Sequence, residues 1–134
     1  MLFRSDRLAL PSHRDLLDAP GVLALSTLTP AGAIQTTAVW YLLDDDGTIV
    51  VSANGERAKV GYLQQSPTVN AFIIDPANPF RTLEIRGTAT VTADEDFSMR
   101  ARVGAKYGTD MSTFDAPGAT RWTIRISPDK VVTH

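Results

Sequence analysis

The segment Ser52-Ala-Asn-Gly-Glu-Arg57-Ala-Lys59 holds the densest chemistry in this sequence. It leaves a strand-like run, turns at Asn54-Gly55 and enters a helical pattern. Hydroxyl, amide and backbone N–H groups thereby stand beside a guanidinium and an ammonium two residues apart. Those are the ingredients of an anion site: helix N-termini favour phosphate, arginine binds it through a planar fork, and lysine adds a point charge. The same residues also read as a solvated helix start that happens to be basic, and on the residues alone both readings stand.

The rest of the catalytic inventory is thin. There is no cysteine, so disulfides, thiolate zinc sites, iron–sulfur clusters and cysteine nucleophiles are excluded. The two histidines, His13 and His134, lie near opposite ends of the sequence, which argues against a histidine metal site or a Ser-His-Asp triad, and no metal is expected. The run Asp44-Asp-Asp-Gly47 lacks the ligand spacing of a calcium loop and reads as a solvated turn. Glu84 and Arg86 read as a charge pair on a sheet. Neither a G-x-G-x-x-G nor a P-loop is present.

Thirteen basic against fifteen acidic side chains give a formal charge of -2, which disfavours nucleic acid as a partner. No apolar run approaches the roughly 20 residues of a membrane span, and the first residues lack the apolar centre of a signal peptide. A cytoplasmic protein with no membrane partner and a small-molecule ligand is expected. The 134 residues suit one domain, residues 1–134, with a core of its own.

The elements that must position the segment are mostly strands. Gly21 to Leu28, Ala33 to Leu42, Thr48 to Ala53, Val69 to Asp75, Thr82 to Thr92 and Thr120 to Val132 are rich in β-branched and aromatic residues, with turn residues between them. Thr29-Pro-Ala-Gly32 and Asp44-Asp-Asp-Gly47 are hairpin signals, so the first three strands are predicted as antiparallel neighbours. Pro76-Ala-Asn-Pro79 reads as a break in the ladder. Helices are predicted at Ser12 to Asp18, Glu56 to Gln65 and Asp94 to Tyr107, the last with Phe97, Ala101, Ala105 and Tyr107 as its apolar side. Thr109 to Ala119 reads as a loop. The fold class is mainly β with a few helices and about six strands.

From Gly21 to Val132 the chain resembles the pyridoxamine 5'-phosphate oxidase-like family of FMN-binding split β-barrels, and within it the deazaflavin-dependent branch that uses coenzyme F420. The resemblance rests on five pieces in register: Gly32-Ala-Ile-Gln-Thr-Thr-Ala-Val-Trp-Tyr41; Ser52 with Arg57-Ala-Lys59-Val-Gly-Tyr-Leu63; Ser66-Pro-Thr-Val69; Asp75-Pro-Ala-Asn-Pro-Phe80; and Glu84-Ile-Arg-Gly-Thr-Ala89. It implies a homodimer of split barrels with cofactor sites in the subunit interface. Carried over, Arg57 and Lys59 hold the cofactor phosphate beside Ser52, Ala53 and Asn54. Gln35, Thr36 and Thr37 run along the ring, and Trp40 belongs to the same motif, although an indole on an alternating strand is also a core residue. Phe80 and Arg81 reach over from the second subunit, and Arg121 or Arg125 assists. Where the family commonly has Asn, this chain has Tyr62, and the walls around the ring that choose the acceptor are expected from the Asp75 to Arg81 loop, the Thr109 to Ala119 loop and the N-terminal segment.

The function the resemblance implies is an F420-dependent oxidoreductase that passes hydride to a small conjugated or ring-shaped acceptor. The alternatives are an FMN-dependent pyridoxamine-phosphate-oxidase-like enzyme and a non-catalytic protein that binds a cofactor or tetrapyrrole. Such chemistry suits the thin inventory: a bound cofactor supplies the reactive carbon, and the protein supplies position and water exclusion.

Overall fold

A computed structural model describes residues 7, 8, 10–55 and 58–134. The elements run α1 (Arg14–Asp18), β1 (Leu23–Leu28), β2 (Ile34–Val39), β3 (Leu42–Leu43), β4 (Ile49–Asn54), α2 (Ala58–Gln65), β5 (Thr68–Asp75), β6 (Asn78–Ala93), α3 (Ser98–Lys106), a 3-10 turn (Met111–Phe114) and β7 (Arg121–Thr133). All ladders are antiparallel, in the order β2-β1-β5-β6-β7-β4-β3.

That order corrects the expected run of three neighbouring strands. The two hairpins form as predicted, with positive φ at Gly32 (82°) and Gly47 (81°). They lie at opposite edges of the sheet, however. The strand expected over Ala33 to Leu42 stops at Val39 and restarts at Leu42, giving seven strands instead of about six. Tyr41 is the reason for the break: fully buried, it donates its hydroxyl to the Leu16 carbonyl, and its backbone N–H goes to the Tyr107 hydroxyl at 3.1 Å instead of to a strand.

The short link dictates the overall curvature. Laid flat, seven strands at about 4.8 Å spacing would put β2 and β3 roughly 29 Å apart. Three Cα steps from Val39 to Leu42 reach about 11 Å at most. The sheet therefore curls until its edges nearly meet, leaving a split between β2 and the β3–β4 pair. The barrel interior holds Leu23 and Leu25 of β1, Val51 and Ala53 of β4, Ile73 of β5, Leu83 and Ile85 of β6 and Ile124 and Ile126 of β7, with α1 (Leu16, Leu17) and α2 (Val60, Leu63) packed against them.

A second cluster, Val50, Met99, Val103 and Met111, sits under α3 on the other side of β4, so β4 is buried on both faces. The helix phase differs from expectation here. Phe97 is the left-handed residue before the helix (φ 59°), Ala101 and Ala105 are exposed, and the packed face is Met99, Val103 and Tyr107. Asp94 starts the helix by accepting from the Met99 and Arg100 N–H groups at 3.2 and 2.9 Å.

Two other readings change. Pro76 and Ala77 form a tight turn, with Asp75 paired to Asn78, so the ladder resumes within the segment read as a break. The Asp44–Asp46 turn is ion-paired: Arg125 reaches Asp44 at 2.9 Å and Asp46 at 3.2 Å, and Arg102 reaches Asp44 at 2.9 Å. The Arg102 and Arg125 hydrogen bonds hold the Asp44 carboxyl far below the usual range. His13 and His134, distant in sequence, meet through an Nε2–H to carbonyl bond of 2.9 Å.

Candidate functional site

The split opens into a cleft of about 650 Å³. Alternation on β2 turns Gln35, Thr37 and Val39 into it, and β4 faces them with Ser52, Ala53 and Asn54. Trp40 comes from the link between β2 and β3, Lys59 and Ala58 from the first turn of α2, Met111, Phe114 and Asp115 from the segment after α3, and Arg121 from the start of β7. β4 ends in the cleft because Asn54 is the last residue paired to β7, opposite Arg121. Gly55 then turns the chain against Thr120, where its N–H donates to the Thr120 carbonyl at 2.9 Å.

Electrostatically the cleft wall is organised by Asp115. Its carboxylate accepts from Arg121 Nη2 at 2.6 Å and Nε at 2.9 Å, from Arg100 Nη1 at 3.0 Å and from Asn54 Nδ2 at 3.4 Å. The Arg121 hydrogen bond, aided by Arg100, keeps the Asp115 carboxyl below its ordinary value despite burial. Arg121 Nη1 reaches on to the Ser52 carbonyl at 3.3 Å. Two guanidinium groups thus share one carboxylate in this corner, and Lys59 lines the same cleft from the first turn of α2.

On the aromatic side, the Trp40 indole stacks on Tyr107 with centroids 4.3 Å apart and planes 7° from parallel, and Phe114 meets it edgewise at 6.0 Å and 64°.

Of the residues predicted from sequence, Gln35, Thr37, Trp40, Ser52, Ala53, Asn54 and Lys59 line this one cleft. Arg57 lies outside the described residues. Thr36 is on the opposite face of β2, its hydroxyl 2.8 Å from that of Ser26. Phe80 and Arg81 are on the β5–β6 hairpin, away from the cleft of their own chain: Phe80 is 87% exposed, and Arg81 is held by Asp15 at 2.6 Å and Asp75 at 2.9 Å. Arg121 is in the cleft wall, whereas Arg125 serves the Asp44 turn. Tyr62 is half-buried on α2 and does not line the cleft. Sequence reasoning missed Val22, and it placed Met111, Phe114 and Asp115 in the cleft wall only as part of the Thr109 to Ala119 loop, without singling them out. Among the described residues no group of three or more His, Cys, Asp or Glu side chains is placed to hold a metal.

A split barrel with its cleft at the split can be compared with known proteins directly. Residues 9–134 match the profile of the pyridoxamine 5'-phosphate oxidase family. The chain belongs to that family. Its fold is the family's split β-barrel, and the flavin-type oxidoreductases of the family are the chemical setting for the cleft. No curated protein matches in sequence. Among solved structures, an F420 reductase superposes with a TM-score of 0.80 at 27% identity, over 89% of this chain and 94% of its own. The conserved hypothetical protein Rv2991 of Mycobacterium tuberculosis gives 0.75 at 20% identity, over 99% of this chain and 89% of its own. HupZ of Group A Streptococcus gives 0.70 at 14%, over 92% of each chain, and like Rv2991 it speaks for the shared fold. Among the described residues no helix is long and apolar enough to cross a membrane.

Proposed function

We propose that the protein is an F420-dependent oxidoreductase acting on a small conjugated, ring-shaped acceptor. The observation that carries the reading is the composition of the cleft: one wall presents the amide and hydroxyl of Gln35 and Thr37, and the facing corner presents Ser52, Asn54 and Lys59 beside Arg121, which shares the Asp115 carboxylate with Arg100. A cofactor with a polar-edged ring and a phosphate-bearing tail fits that donor set, and about 650 Å³ lies within the range of small-molecule sites. The likeness to an F420 reductase supports F420 over other flavin-type cofactors.

Bound in reduced form, F420 supplies a hydride. The chain's own part is to bind and orient. Lys59, with Arg57 two residues earlier in sequence, holds the phosphate, and Ser52 and Asn54 fix the tail beside it. Gln35 and Thr37 meet the polar edge of the ring, and Trp40 and Phe114 narrow the water-accessible side.

A homodimer belongs to the proposal. Val22, Ile34, Ile74 and Phe80 are large apolar side chains left 50–87% exposed, and a second copy would cover them and bring Phe80 and Arg81 towards the partner's cleft. Sedimentation equilibrium tests this; a monomer at micromolar concentration would remove the shared site.

The family match itself favours FMN as the second reading. Titration of the purified protein with each cofactor, followed by fluorescence quenching, separates the two. Saturable binding of F420 is expected, and tight binding of FMN alone sinks the F420 reading. Adding acceptors to the reduced complex then distinguishes turnover from storage, since a storage protein leaves the cofactor reduced.

A further inference from the structure

Among the described residues, Phe97 is the one non-glycine with a positive φ, 59°. A bulky side chain rarely adopts this left-handed region, because its Cβ crowds the following carbonyl oxygen, whereas glycine takes it freely. Packing does not offset the strain, since Phe97 belongs to neither apolar cluster. The start of α3 does not need the ring either, because the Asp94 carboxylate caps it through the Met99 and Arg100 N–H groups. The ring lies under the Arg100 guanidinium, whose Cζ is 4.0 Å from the ring centroid.

Arg100 is thereby fixed at both ends. Its backbone N–H is on Asp94 at 2.9 Å, and its guanidinium is set between the Phe97 ring and the Asp115 carboxylate at 3.0 Å. Asp115 in turn engages Arg121 through Nε and Nη2, so Nη1 is the atom that reaches β4, at 3.3 Å from the Ser52 carbonyl and 3.5 Å from its hydroxyl. Both contacts exceed the usual length of an N–H···O bond, so Nη1 is aimed at Ser52 without being well satisfied there. Arg121 and Ser52 line the cleft; Phe97 and Arg100 do not. One run of contacts, Phe97 to Arg100 to Asp115 to Arg121, therefore leads from a strained residue outside the cleft to an arginine on its wall.

Left-handed strain and cation–π attraction are of similar size and opposite sign, so for stability alone Phe97 gains little over glycine. Strain that the surrounding structure maintains without a gain in stability is characteristic of positions that serve a site. We propose that Phe97 is a positioning residue for Arg121, acting through Arg100 and Asp115, and that the Nη1 end of Arg121 so aligned meets an anionic oxygen of the bound cofactor. The last clause rests on the cofactor reading of the cleft; the relay from Phe97 to Arg121 does not.

Phe97→Gly removes ring and strain together and should melt no more than about 4 °C below wild type. A larger drop makes Phe97 a packing residue and overturns the proposal. The relay is read without cofactor from the Arg121 Nε–H in 15N spectra, assigned by its loss in Arg121→Lys. Its exchange with solvent should be several-fold faster in Phe97→Gly and at the wild-type rate in Phe97→Tyr, which keeps a ring under Arg100; unchanged exchange in Phe97→Gly, or equal acceleration in both variants, overturns the relay. With F420, Phe97→Gly should raise the dissociation constant about three- to tenfold, as expected for loss of one cation–π contact, and Phe97→Tyr should restore it. Arg100→Met should weaken binding at least as much, and adding Phe97→Gly to it should change little more, since both act through one contact; additive effects overturn the relay. Faster exchange with unchanged F420 affinity keeps the relay and removes Arg121 from the cofactor site. If wild type binds no F420, the cofactor reading falls and the exchange rates alone decide the relay.

Discussion

Asp115 and Arg121 form a two-pronged ion pair at 2.6 and 2.9 Å, with side chains only 5% and 6% exposed. Arg100 closes on the same carboxylate at 3.0 Å, and Arg121 continues to the Ser52 carbonyl at 3.3 Å. One carboxylate therefore ties the segment after α3 to β7, to α3 and to β4, whose Ser52 and Asn54 line the cleft.

Asp115→Ala is expected to destabilise the protein by about 3–5 kcal/mol, because it strands two guanidinium groups in a poorly hydrated place. Urea denaturation checks this, read as a lower midpoint with an unchanged slope. A loss below about 1 kcal/mol would mean that water reaches the arginines, in the manner of a surface pair.

Lys106 should give an alkaline signature of unusual sign. Burial pushes its amine from 10.5 down to about 8. The folded state then binds fewer protons than the unfolded one between pH 8 and 10.5, so the Lys106 contribution to stability rises with pH across that window and is smallest below it. Wild type should gain on Lys106→Met between pH 7.5 and 10 in paired denaturation curves. A flat difference would show an ordinary, hydrated amine.

Two glycine substitutions should act in opposite directions. A Cβ at Gly87 would meet the Ser127 carbonyl oxygen at 2.5 Å, at the β6–β7 irregularity, and strands cannot shift as a side chain can. Gly87→Ala is expected to cost about 1–3 kcal/mol. At Gly61, on α2, a Cβ meets nothing within 4 Å, so Gly61→Ala should stabilise by about 0.5–1 kcal/mol. Thermal melts of the two variants decide, and a shift in the same direction for both would refute the argument.

Cofactor affinity should depend on the basic pair. Charge-assisted hydrogen bonds contribute about 1.5–3 kcal/mol each, so Arg57→Ala with Lys59→Ala should raise the F420 dissociation constant roughly 10²–10⁴-fold. An unchanged constant would place the phosphate elsewhere.

The strands, both early hairpins and most of the cleft's polar residues were legible in the sequence, because alternation and turn chemistry are local signals. Gln35 and Thr37 share a face by period alone. What was not legible depends on tertiary choices. Nothing in Ala33 to Leu42 marks the break at Trp40-Tyr41, since both are good strand residues; it follows from the Tyr41 hydroxyl finding the Leu16 carbonyl. The phase of α3 was misjudged because Phe97, the largest apolar residue nearby, adopts a left-handed conformation before the helix and leaves Met99 and Val103 to pack on Val50. Asp115 and Phe114 lay in a segment whose composition said only loop.

The pairing of β4 has a consequence for how the protein is made. Its residues Ile49 to Asn54 pair with β7 from Ile126 back to Arg121. At about 5–20 residues per second, a nascent β4 waits on the order of several seconds for that partner to leave the ribosome. Throughout that interval Ile49, Val50 and Val51, which end buried on both faces, have only the two-residue β3 beside them, and the edge that β7 will cover is open to misassociation. The cleft does not exist on the nascent chain, so a ligand can act only after this step, by mass action on the folded protein.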